Sequence, residues 1–300
     1  MRCRAAIVLL TAMSIGLPAC GRPAHADPTT SPPPPPSAAQ QTVLAFPGLS
    51  APRGVAVDGA GNVYVTDQGH TEYEHRPPIV VGKQVLKLAP RSSTPTVLPF
   101  PHLDNPVGVA ADGAGNLYVT DPDINRVRKL PAGSSTPTAL PFAGVSKPVG
   151  VAVDGGGNVY VTDEINTQVV KLPAGSDTST VLPFTGLSKP NGVAVDSAGN
   201  VYVADNTAKQ VVKLAAGSGP QTVLPFSGLS NLSGVAVDTA GNVYAADTDH
   251  NRVLKLAAGS STQTALPFTG LDRPSGVAVD SGGNVYLTCD DGRVLKLAVG

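Results

Sequence analysis

Residues 190–214 read PNGVAVDSAGNVYVADNTAKQVVKL, and this stretch recurs with small changes six times along the 300-residue chain. Its GVA(V/A)D core begins at Gly54, Gly108, Gly150, Gly192, Gly234 and Gly276, in steps of 54, 42, 42, 42 and 42 residues. A period near 42 belongs to propeller arrays, in which each repeat is one small β-sheet that buries its faces only against its neighbours. Every unit also carries GN(V/L)Y and a Lys-Leu pair, and six T(V/A)L(P/A)F runs accompany the six units. Four short β-rich runs separated by Gly, Asn, Asp and Ser clusters predict a four-stranded antiparallel blade, with strands a to d in chain order.

Side-chain size and proline predict which strand faces the axis. GVAVD is made only of small residues, as a crowded axis requires, so it is strand a. The TVLPF run carries Pro99, Pro141, Pro183, Pro225 and Pro267, which lack an N–H and are tolerated on an exposed edge, so it is the outer strand d. Between a and b, V-D-x-x-G-N predicts a type I turn closed by a left-handed Gly, with Asp58 and its equivalents capping it in a structural role. The sixth unit ends at Leu297 with no TxLxF run behind it, and the missing run is TVLAF at 42–46. The fold expected is therefore an all-β, six-bladed propeller over residues 41–300, closed by an N-terminal strand that completes the last blade. All six Phe fall in the d runs and six of seven Tyr in the b runs, which suits a repeated blade-to-blade core.

The start of the chain has a different character. MRCR, an apolar run of 13 residues and LPAC form the pattern of an export signal, and LPAC at 17–20 is similar to a lipoprotein box. The expectation is a signal peptide over 1–19, a diacylglycerol thioether on Cys20, and a Pro-rich spacer over 20–40 that holds the propeller off the outer face of the cell membrane. The alternative is plain secretion after cleavage near Ala19 or Ala26. With Cys3 removed and Cys20 acylated, Cys289 has no partner, so the fold stands on its core and not on disulfides. A formal net charge of −1 gives no reason to expect nucleic acid as a partner.

The combination P-x-GVAVD, GNVYV(T/A)D and NRV resembles the NHL-repeat family, most clearly in PSGVAVD (274–280) and DTDHNRVLKL (247–256). Within it, the spacing and the TVLPF run look most like the extracellular sensor domain of a mycobacterial receptor serine/threonine kinase. The resemblance implies a six-bladed propeller working outside the cell as a sensor-like, protein-binding module. No kinase domain is read in this chain, so kinase activity is not carried over.

Candidate functional residues collect on one predicted face, that of the b-to-c and d-to-a loops. The a-to-b turns are near copies of one another, while the b-to-c loops differ from blade to blade, as a surface free to be specific does. The first unit is 12 residues longer than the rest, and the excess, around QGHTEYEHRPPIVVGKQ (68–84), falls in its b-to-c loop. Folded back on itself it could reach roughly 25 Å, enough to overhang the channel mouth. The expected ligand-binding set is His70, Glu72, Tyr73, Glu74, His75 and Arg76 of this loop, with Arg53, Asn191, Arg273 and His250. Ser233, Ser275, Lys147 and Lys189 lie beside them on the same rim. The partner expected is an extracellular protein, peptide or glycan.

The competing reading is a metal-assisted propeller lyase or a lactonase-type hydrolase, because such enzymes are similar in repeat type. Strands a carry no His, Glu or Asp into the channel, so no catalytic residue, cofactor or resident metal is assigned, although His70, Glu72 and His75 could meet the three-ligand minimum of a zinc site. The aspartates that end strand b are read as Asx-type turns, Cys289 as a small buried hydrophobe, and the six strand-c lysines as a solvated outer girdle.

Overall fold

The computed structural model describes residues 39–72 and 79–298. The expected signal peptide, Cys20 and nearly all of the spacer lie outside the described residues, as do Tyr73, Glu74, His75 and Arg76. Among the described residues no helix is long and apolar enough to cross a membrane.

Six four-stranded antiparallel sheets form the blades of a propeller, each running a-b-c-d from the axis outward. In the fourth blade these strands are Pro190–Val195, Val201–Asp205, Gln210–Leu214 and Gln221–Val223. The sixth blade takes its outer strand from the other end of the chain. Gln40–Val43 pairs antiparallel with Val294–Ala298 in the register Gln40↔Ala298 to Val43↔Leu295. The ladder is extended by the Leu44 amide, which donates to the Val294 carbonyl at 2.8 Å.

Closure works because each blade buries the neighbour's side chains. Tyr64 of the first blade packs with Phe100, Leu103, Val109 and Leu117, and the five other seams repeat this arrangement. The seam between the last and first blades joins Phe46 and Tyr286 to Val55, Val63 and Val65. At the axis, the glycine of each strand a lies against the next blade's backbone. A Cβ on Gly54, Gly150 or Gly276 would stand 2.4 Å from the carbonyl oxygen of Val107, Asn191 or Arg53 respectively. Only a residue without a side chain fits there.

Two polar latches fasten the seams. In the first, second, third and sixth blades, the strand-a glycine N–H donates to a strand-b threonine (Thr66, Thr120, Thr162, Thr288), whose hydroxyl donates to the next blade's carbonyl at 2.6 Å. The fourth and fifth blades have Ala204 and Ala246 at this position. Their seams carry an outer latch instead: Gln263 and Gln41 use both side-chain amide atoms to pair with the backbone N–H and C=O of Ser227 and Thr269. Gln221 does the same to Thr185, so the seam between the third and fourth blades has both latches.

Two expectations are corrected here. The prolines lie just past strand d, because the first blade's outer strand is only Thr96–Val97. They sit at the centre of a tight turn in which the Phe amide donates to the Leu carbonyl two residues back, as in Phe100 to Leu98 at 2.8 Å. That is an inverse γ-turn, whose φ near −75° proline already holds. Ala45 occupies this place in the closing blade, with the same bond from Phe46 to Leu44 at 2.9 Å. The lysine girdle is also more than a solvated face. Each ammonium lies over the ring of its own blade's tyrosine, 5.2–5.7 Å from the centroid, where cation–π attraction holds it.

The a-to-b turns behave as expected. Asp58 accepts from the Ala60 and Asn62 amides, the Asn62 side chain and the Tyr64 hydroxyl, and all six blades repeat the set. Burial opposes the charge on each aspartate, but these hydrogen bonds outweigh it and hold the carboxyl below its usual range. Burial, reinforced by the bond to the aspartate and by its charge, pushes each of the six tyrosines well above its ordinary value.

Two outcomes follow. The aspartate contribution to stability is present above the ordinary carboxylate pKa of about 4 and lost as pH falls below it. The tyrosine contribution is present below about pH 10 and lost as pH rises beyond it. In a spectrophotometric titration at 295 nm, six tyrosines are therefore expected to ionise only together with unfolding. Ala45→Pro is expected to stabilise the protein by about 0.4–1 kcal/mol in urea unfolding, since the backbone there already suits proline.

Candidate functional site

The axial channel opens, on the b-to-c and d-to-a face, into a cavity of about 350 Å³. Its rim is the ring of residues that precede the strand-a glycines: Arg53, Val107, Val149, Asn191, Ser233 and Ser275. The six backbones are equivalent, so the side chains alone differentiate the mouth. In ring order they place a cation, then an apolar arc of two valines, then an amide, then two hydroxyls. Gln68, Glu164 and Lys189 complete the lining from the loops above.

The loops that deliver these side chains are pinned by the aspartates ending strand b, all fully buried. Asp67 accepts from the Ser50 and Ala51 amides, Asp121 from Asp104 and Asn105, and Asp205 from Ser188 and Lys189. Bonds of the expected Asx type are also present, from the Gly69, Asn166 and Ala208 amides to Asp67, Asp163 and Asp205. Asp67 and Asp205 thus each tie the d-to-a loop leading into their blade to the b-to-c loop, which a local turn alone would not do. Cys289 replaces this aspartate in the sixth blade; it is fully buried among apolar side chains, and burial pushes its thiol up to about 11.

Two ion clusters stand on opposite sides of the mouth, three blades apart. In the first, Lys147 Nζ is 2.6 Å from Glu164 Oε1, and Lys189 Nζ of the next blade is 4.0 Å from the same oxygen. In the second, Arg273 Nε is 3.1 Å from Asp290 Oδ2, and Arg53 Nη1 of the next blade is 3.3 Å from Oδ1. Arg273 also meets Asp249 at 3.0 Å, and Arg53 Nε donates to Gln68 Oε1 at 2.8 Å. Lys147 and Arg273 occupy corresponding places and both have left-handed backbones, φ 60° and 45°. Each is held there by an asparagine of the preceding blade, Asn125 or Asn251, which accepts the cation's backbone N–H at 2.7 Å.

The residues expected from sequence divide accordingly. Arg53 and Asn191 line the mouth, and Arg273 stands beside it in the second ion cluster. His70 and Glu72 lie on a short ribbon, His70–Glu72 paired with Ile79–Val81, that rises from the rim. His70 shares a hydrogen bond with Ser50 Oγ at 2.8 Å and stands 3.6 Å from Glu72. His250 is turned to Asp247, 2.9 Å away, and is not part of the lining. Among the described residues no three His, Cys, Asp or Glu side chains are placed to share a metal ion. Sequence reasoning missed Gln68, Glu164 and Asp290 as site residues. All three directly follow strand b, where the six blades read Gln68, Pro122, Glu164, Asn206, Thr248 and Asp290, a more varied position than any within the strands.

A family model described as the NHL repeat matches residues 187–214 and 229–256. These segments are NHL repeats. The remaining units share the sequence motif and strand order of these two segments. Over 63 residues the chain is 51% identical to the serine/threonine-protein kinase PknD of Mycobacterium tuberculosis, a match that covers 20% of this chain and 8% of the kinase. The match spans under a tenth of that relative's length. Among solved structures, the propeller is similar to a gluconolactonase from Xanthomonas campestris, with a TM-score of 0.70, 16% identity, and coverage of 87% of this chain and 90% of the other. It is also similar to virginiamycin B lyase from Staphylococcus aureus, with a TM-score of 0.63, 13% identity, and coverage of 87% and 100%. Identities this low establish a shared fold and nothing about chemistry.

The base of the ribbon yields a structural test. A Cβ on Gly69 would collide with the Val81 carbonyl at 1.9 Å, and Gly69 and Gly82 both have positive φ. Deleting residues 70–81 joins these two glycines and leaves four residues between Asp67 and Gln84, the number found between Asp163 and Gln168. The deletant is expected to fold with a near-unchanged thermal midpoint, measured by circular dichroism.

Proposed function

We propose that this protein is an exported, lipid-anchored NHL propeller that recognises a ligand at the channel mouth and carries out no chemistry on it. The observation that carries this reading is the contrast within one ring. Six near-identical blades supply the frame, and blade-specific side chains converge on a single concave mouth. A cavity with a few convergent polar groups and an apolar wall has the character of a binding site. The local identity to PknD supports a sensor-like role, with an extracellular protein, peptide or glycan as the partner. The spacer of residues 20–40 and acylation at Cys20 would keep the propeller at the outer face of the membrane. The metal-assisted lyase or hydrolase reading has less support, because no three His, Cys, Asp or Glu side chains among the described residues are placed to hold a metal ion.

The two faces can be compared directly. A photo-crosslinking amino acid at Asn191 (the mouth) or at Ala198 (an a-to-b turn of the same blade) is introduced into the full chain in its native envelope. Crosslinks to a discrete partner are expected from position 191 and not from 198, and equal capture from both would overturn the reading. The anchor is tested separately: Cys20→Ser is expected to release the protein into the medium and to abolish palmitate labelling.

A further inference from the structure

The charged groups lining the mouth are unequally satisfied, and that inequality points to a ligand chemistry. Glu164 is mostly enclosed, and its oxygen is taken by Lys147 at 2.6 Å. The Lys189 ammonium, at 4.0 Å, makes no hydrogen bond to any described residue and is about half exposed. The side-chain amide of Asn191, two residues on, likewise has no partner among the described residues. Three blades away, Arg53 spends Nε on Gln68 and one Nη on Asp290, and its other Nη is open to the mouth among the described residues. Asp290 is itself shared with Arg273. Open donors therefore stand at two opposite points of the rim, and none of them makes a hydrogen bond to a described acceptor; Lys189 has only the Glu164 oxygen 4.0 Å away.

What lies between these points differs on the two arcs. Val107 and Val149 form the wall on one side, Ser233 and Ser275 on the other. The serine hydroxyls are committed within the protein: Ser275 donates to the Arg53 carbonyl at 3.2 Å, and Ser233 meets Thr248 at 2.9 Å. A cation–donor pole at each end and an apolar wall between them are complementary to an anion at each end of an aliphatic span. Carboxylates suit both poles, since a guanidinium or ammonium forms its strongest hydrogen bonds with them.

We infer that the mouth binds a dicarboxylate, one carboxylate at Lys189 and Asn191, the other at Arg53, and the chain between them along Val107 and Val149. This rests on the mouth being the recognition site and specifies what it recognises. The two carboxylates could belong to a free linear diacid or to two acidic side chains of a peptide.

The test is calorimetry of the full propeller with linear α,ω-alkanedioates of graded length, alkanoates of the same lengths, and peptide amides with Glu at both ends. Affinity is expected to peak at one diacid length, with the matching monoacid about tenfold weaker, the worth of one charge-assisted hydrogen bond. Arg53→Gln and Lys189→Gln should each reduce the best diacid to the monoacid level, while Lys87→Gln on the outer girdle changes nothing. Tighter binding of the diglutamyl peptides would identify a peptide as the source, and tighter binding of the free diacids a small molecule. Affinity that ignores length, or survives both substitutions, overturns the inference. Amide shifts of Gly54 and Gly192 on adding a neutral peptide or glycan, with the diacids silent, would overturn the dicarboxylate and leave the mouth as a binding site; shifts confined to the a-to-b turns would overturn both.

Discussion

The structure depends on six points of contact at the axis, where the glycine of each strand a lies too close to the next blade's carbonyl for any side chain to fit. Cβ positions there would stand 2.4–2.7 Å from backbone oxygen. That approach sets how tightly the inner strands gather, and so how narrow the channel is and how near the rim side chains come to one another. A methyl group at one glycine would have to push two blades apart, and in a closed ring the displacement has no free end at which to dissipate.

Around this axis the seams share their hydrogen bonding in a complementary way. Where strand b offers threonine, the inner edge of the seam is latched. Where it offers alanine, a glutamine latches the outer edge. No seam relies on apolar packing alone, although the buried clusters around the tyrosines form the apolar core whose burial drives folding. The alanines are in the fourth and fifth blades, and the blades that meet them across those seams, the fifth and sixth, bring Ser233 and Ser275 to the mouth.

The fold was legible in the sequence because the repeat is nearly literal: period, strand order, turn chemistry and the displaced outer strand can all be read from GVAVD, GNVY, KL and TVLPF. The prolines were legible as edge signals but not as turn centres, since γ-turn geometry has no sequence mark beyond the proline itself. Arg53 and Asn191 could be found as the residues before the axial glycines. Glu164 and Asp290 could not, because each acts as a bridge between a cation of its own blade and one of the next, and which blades meet emerges only when the ring closes. Gln68 was hidden for another reason: it looks like the start of the insertion but occupies the post-b position of an ordinary blade. His250 looked exposed and free, yet a buried aspartate three residues back captures it.

The recognition reading and the fold therefore share one requirement, a ring sealed between residues 40–46 and the last hairpin, because only then does Arg53 of the first blade stand beside Asp290 of the sixth. The most direct measurement compares urea unfolding of a chain beginning at residue 40 with one beginning at residue 48. Loss of the closing strand and of buried Phe46 should lower stability by about 3–5 kcal/mol, the cost of emptying such a core position, while unfolding of the longer chain stays a single transition. Equal midpoints for the two chains would show that the ring does not need this strand, and would contradict the account of how the mouth is assembled.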